Sequence, residues 1–176
     1  MIKNKTLPIS ISIVNARLIF LGLGLLSFVV PFSLGHPQLL VGTMVNAALF
    51  ASVVFLQDKF FLPIIILPSL GVLSRGLIFG PLTPFLLYFI PFIWLANLGL
   101  VLVFKKAFSS FGYLLSVLLA SFIKLLILFS FANLFFRFNL VPRPFLTAMG
   151  LNQLITACLG GLFSFLFLKK TSHGRV

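Results

Sequence analysis

LPSLGVLSRGLIFGPLTPFLLYFIPFIWLAN, from Leu67 to Asn97, is apolar enough for lipid yet is interrupted by Pro68, Pro81, Pro84 and Pro91 and by one cation, Arg75. Each proline removes a backbone donor. In hydrocarbon a missing helical bond is tolerated only where neighbouring helices or a water-filled cavity satisfy the freed carbonyl. The stretch therefore reads as two membrane helices joined by a tight turn at Gly80-Pro81, their irregular sides turned toward protein or a cavity. Arg75 needs a partner, water or the membrane interface.

The rest of the chain has the same character. Of its 176 residues, 61% are hydrophobic and 8% charged, and 24 are Phe, a composition outside the range of soluble domains. The expected fold class is all-α, a polytopic membrane protein. At roughly 20 residues per crossing the length holds about six helices and no appended soluble domain. The helices are expected at about residues 16–32, 39–56, 60–79, 83–104, 108–136 and 145–168, within one transmembrane domain over residues 1–176. The fifth run exceeds one crossing, which implies tilt or an emergent end. Lys3 and Lys5 ahead of an apolar run also fit a secretory signal, but Phe32-Ser33-Leu34-Gly35 is a poor cleavage site, favouring an uncleaved first helix.

Cations set the orientation. Lys3, Lys5, Arg17, Lys59, Lys105, Lys106, Lys169, Lys170 and Arg175 fall on one side and Arg137 and Arg143 on the other, so the positive-inside rule places both termini in the cytoplasm. The net charge of +12 comes with a single acid, Asp58, yet no Lys/Arg patch alternates with exposed aromatics, so nucleic acid is not an expected partner. One cysteine, Cys158, excludes a disulfide framework, and the sequence has no His/Asp/Glu cluster for a metal. It supplies neither an acid/base pair nor a partnered nucleophile, so we expect no enzyme and no cofactor. Without a phosphate-binding glycine loop, any uphill transport needs another subunit or an ion gradient.

At ~1.5 Å of rise per residue, Asn46, Arg75, Lys124 and Gln153 fall in the outer half of their helices, with Trp94 near the middle of the fourth and Asn97 one turn deeper. Lys124 is the sharpest signal, because a mid-span lysine costs about 2.5 to 3.5 kcal/mol on insertion scales. Two readings stand for it: a structural one, in which it bonds backbone carbonyls freed by the prolines or snorkels outward, and a contact to an anionic or carbonyl-bearing ligand. Asn46 is an interhelical clamp or a pocket donor, and Gln153 is equally open. Trp94 fits a core residue better than a ligand stack, and Asn97 an interhelical clamp. Gly160, Gly161 and Ser164 read as small residues that let helices approach. His36 reads as a solvated loop residue.

A first outer turn running into Pro37, then Gly42 and Asn46, and Gly80-Pro81 before a fourth helix together resemble the substrate-binding S components of energy-coupling factor transporters. The segments Gly42-Thr43-Met44-Val45-Asn46-Ala47, Leu67-Pro68-Ser69-Leu70-Gly71 and Pro91-Phe92-Ile93-Trp94-Leu95-Ala96-Asn97 are similar to a group of small bacterial membrane proteins related to them. The resemblance implies a multi-pass protein of the bacterial cytoplasmic (inner) membrane that captures a vitamin-like micronutrient from outside. It implies as partners a transmembrane coupling subunit and paired ATPase subunits, besides membrane lipids. The chain departs from that pattern on its first helix, where small residues four apart are expected to meet the coupling subunit but Ala16 is followed by Phe20 and Gly24 by Phe28.

The expected site is an outward-opening pocket lined by Asn46, Arg75, Trp94, Lys124 and Gln153, with Lys124 and Arg75 favouring a carboxylate or phosphate. The rival expectation is a structural scaffold, such as a small multi-helix subunit of the cell-shape machinery, in which the same residues clamp helices and no small molecule binds.

Overall fold

A computed structural model describes residues 13–34, 37–76 and 83–173. Their apolar runs are helical because a backbone in hydrocarbon must satisfy its donors and acceptors internally. The helices are α1 (Ile13–Leu34), α2 (Gln38–Phe55), α3 (Phe61–Arg75), α4 (Thr83–Phe111), α5 (Tyr113–Arg137), α6 (Pro144–Met149) and α7 (Leu151–His173), with a short 3-10 turn at Asp58–Phe60. Among the described residues, five segments are long and apolar enough to cross a membrane, counting α6 and α7 as one. The protein is an all-α polytopic membrane protein.

Several boundaries differ from expectation for identifiable reasons. The Gly80-Pro81 turn and His36 lie outside the described residues. The described α3 ends at Arg75, capped by Gly76 at φ +68, whose N–H donates to Leu73 O at 3.0 Å. Its 15 residues span about 22 Å, less than the ~30 Å of a hydrocarbon core. Lys105-Lys106 do not stop α4, which continues to Phe111; Gly112, at φ +77, ends it and starts α5. Paired lysines mark where a helix leaves lipid, not where its hydrogen bonds cease. The last span is broken at Gly150 into α6 and α7.

The helices close into a ring in the order α1, α3, α4, α5, α7, α2 and back to α1, with α4–α5 and α2–α7 the most extensive contacts. α2 also touches α3 and α4 across the ring. It is the innermost crossing: 56% of its apolar window is buried against 17% for α1. Close approach of α2 and α7 depends on Gly160, where a Cβ would stand 2.7 Å from Ala47 N and Thr43 O. That bears out the packing reading of this glycine.

Two apolar clusters fill the bundle. The basal one, at the end carrying the Asp58–Phe60 turn, gathers Leu49, Phe50, Val53, Ile64, Leu100 and Phe104, with Phe50 and Phe104 edge to face at 4.9 Å. The distal one, under α6, gathers Leu86, Phe89, Leu128, Ala132, Phe145 and Met149, with Phe89 stacked on Phe145 at 5.2 Å. Outward faces carry exposed Leu and Phe such as Leu18, Leu25, Leu118, Phe122 and Phe163, as lipid contact requires.

Candidate ligand-binding cavity

Between the two clusters lies a layer of polar side chains centred on Lys124, which is 3% exposed. Its position follows from helical spacing: on α5, Ala120 belongs to the basal cluster and Leu128 to the distal one, so the residue midway between them on that face lies at the seam. Lys124 Nζ donates to Asn46 Oδ1 on α2 and to Asn97 Oδ1 on α4, both at 2.7 Å. Each asparagine passes the link on through its amide nitrogen. Asn46 Nδ2 donates to Thr156 Oγ1 on α7 at 3.2 Å, and Asn97 Nδ2 donates to Ile65 O on α3 at 3.3 Å. One lysine thereby ties together five helices.

Neither sequence reading of Lys124 named these partners. The lysine does not take carbonyls freed by prolines; it takes two amide oxygens. Two interhelical bonds at a mean of about 0.6 kcal/mol each recover less than half of the cost of placing a lysine at this depth. No carboxylate balances its charge. The chain's only acid, Asp58, is exposed at the basal end and bound to Lys105, with Nζ 2.7 Å from Oδ1.

On the distal side of this layer is a cavity of about 120 Å³. Lys124, Asn46, Asn97 and Thr156 form its polar floor; Val41, Val45, Val72, Leu86, Ile90 and Ile93 form apolar walls; Gln38, Asn152 and Gln153 stand nearer the distal end. Asn152 Nδ2 donates to Gln38 Oε1 at 3.3 Å, joining α2 to α7 there. Ser69, 4% exposed, also lines the cavity, and its Oγ has no hydrogen-bond partner among the described residues. Lys124 makes two bonds there, which leaves one of the three donors of an ammonium. The volume exceeds the ~10–15 Å³ that a single water needs and approaches the ~150 Å³ of an apolar cavity that accepts benzene.

Of the expected site residues, the structure brings Asn46, Lys124 and Gln153 to this cavity and places Arg75 and Trp94 elsewhere. Arg75 Nη1 donates to Ser33 O and, at 3.0 Å, to Phe32 O, so it caps the free carbonyls at the end of α1. Trp94 packs beside the basal cluster, its Nε1 buried without a partner among the described residues. Of the prolines that drew attention to this region, Pro68 lines the cavity, Pro84 and Pro91 face outward, and Pro81 lies outside the described residues. Of the small residues of α1, Gly24 meets Leu67 of α3 and Ser27 is buried, whereas Gly22 is exposed.

Sequence reasoning missed Asn97, Ser69, Thr156, Gln38 and Asn152 as cavity residues. For Asn97 the signal was available: stepping back from it by helical spacing reaches Ile93, Ile90 and Leu86, the face that lines the cavity, with Trp94 at the edge of that face and outside the lining. On α2 the same logic gives Gln38, Val41, Gly42, Val45 and Asn46, an i, i+3, i+4, i+7, i+8 stripe. Compared with protein-family models, curated proteins and solved structures, the chain matches none.

Proposed function

We propose that this protein is a substrate-binding membrane subunit of the S-component kind, taking up a vitamin-like micronutrient with energy supplied by separate coupling and ATPase subunits. The observation that carries the reading is a buried lysine facing a cavity in a chain that holds no acid to balance it. Such a group lowers stability unless something else uses it, and intramembrane ionisable residues mark substrate paths. With the cation-rich side in the cytoplasm, the cavity belongs to the outer half of the membrane, the side from which a nutrient is captured.

The scaffold reading draws on one observation, the tie that Lys124 makes to Asn46 and Asn97. The two readings separate in solution. A panel of water-soluble vitamins and small organic acids, screened by thermal unfolding of the purified protein, should contain a compound that stabilises it. At a hundredfold excess over Kd the gain is about 2.7 kcal/mol. Lys124→Ala should abolish the effect and Gln153→Ala should weaken it. Undiminished stabilisation in both variants rejects this pocket, and a panel without effect favours the scaffold.

A further inference from the structure

We propose that the cavity takes an organic monocarboxylate whose enclosed part is about the size of one six-membered ring. The carboxylate meets Lys124 at the floor and Ser69 on the α3 side of the cavity, and the body lies against the apolar walls. The inference rests on the ligand-binding reading above and names the chemistry of the ligand.

Three features of the cavity lead there. The first is charge: the wall holds one cation, Lys124, since Arg75 is spent on the end of α1. A monoanion balances it. A phosphate monoester carries about −1.5 to −2 at pH 7 and would leave excess charge beside the buried floor of a largely apolar site, where unpaired charge is expensive. The second is donor count. Among the described residues the cavity lining presents two hydroxyl or ammonium donors not committed to the protein, the remaining N–H of Lys124 and the buried hydroxyl of Ser69. A carboxylate offers two acceptor oxygens, and the Asn46 and Asn97 amide nitrogens are already engaged. The third is shape. Val41, Val45, Val72, Leu86, Ile90 and Ile93 border a half-open volume of about 120 Å³, close to that of a site that holds benzene. A small cyclic or branched acid fits these walls; a sugar would leave its hydroxyls unpaired against them.

The same carboxylate chemistry occurs in water-soluble acids and in fatty acids of the membrane, and the test separates them. Isothermal titration calorimetry on the full chain in neutral detergent at pH 7 compares four probes: benzoate, benzamide, phenyl phosphate and decanoate. Benzoate should bind, and benzamide should bind on the order of tenfold or more weakly, the loss expected when a desolvated charge pair is removed. Phenyl phosphate should also be weaker than benzoate. Lys124→Met should remove benzoate binding, and Ser69→Ala should weaken it roughly tenfold to a hundredfold, the range for one hydrogen bond to a charged group. The variants are compared only as monodisperse species, and the wild-type probe series decides the matter without them. Tighter binding of decanoate than of benzoate supports the carboxylate and assigns its source to lipid.

Equal affinity for benzamide and benzoate, or tighter binding of phenyl phosphate, overturns the monocarboxylate while leaving a ligand-binding cavity. If no probe binds but the purified protein still releases a non-acidic small molecule, the inference fails and the broader reading stands. If no probe binds and nothing is released, both fail.

Discussion

Below the Lys124 layer, Leu49 and Phe50 of α2 and Leu100 and Phe104 of α4 have no exposed surface, the two Phe rings packing edge to face; above it, Val41 of α2, Val72 of α3 and Ile90 and Ile93 of α4 stand around about 120 Å³ of space. The two halves share helices and a similar aliphatic and aromatic composition, so hydrophobicity does not distinguish them. What differs is the boundary between them. Asn46, Asn97 and Lys124 satisfy one another across the bundle, and that polar layer separates the basal apolar cluster from the distal one and floors the cavity. The basal half is packed throughout, whereas the distal half combines a packed cluster around Phe89 and Phe145 with open space.

The largest effect that would sharpen this contrast is truncation on either side of the floor. Phe104→Ala should cost about 3–5 kcal/mol in reversible detergent unfolding, as a fully buried aromatic does, whereas Ile93→Ala, bordering existing space, should cost much less. Equal costs would break the division into a packed and an open half. Next in size is the α2–α7 seam on which the floor depends. Gly160→Val should lower stability by about 1–3 kcal/mol through overpacking against α2, read as a fall in melting temperature with loss of ligand binding. An unchanged melting temperature would mean that the helices approach less closely than the geometry described here. The smallest effect belongs to the cation outside the cavity. Arg75→Ala should shift stability by no more than about 0.5–1 kcal/mol, the value of a helix cap at a surface, and leave affinity unaltered. A large loss of affinity would return Arg75 to the site.

The fold class was legible because apolar length alone dictates helices in lipid, and Lys124 because a mid-span charge is too costly to be incidental. Less was legible where two effects compete. At Lys105-Lys106 charge marks the membrane surface while the hydrogen-bond ladder continues to Gly112, so the fourth helix read too short. Arg75 and Trp94 were placed in the cavity by depth, but depth does not specify azimuth; Arg75 turns to the α1 carbonyls and Trp94 to the basal cluster. Asn97 had the right azimuth because a buried amide in mid-helix itself marks the inward face. Serine and threonine, being small enough for packing, gave no such signal at Ser69 or Thr156.

The most direct measurement is mass spectrometry of the small molecules released by denaturation from wild-type protein and from Lys124→Met, purified side by side in detergent. The account predicts a small organic acid, stoichiometric with the wild-type protein and missing from the variant. Identical release from both, or none from either, would contradict it.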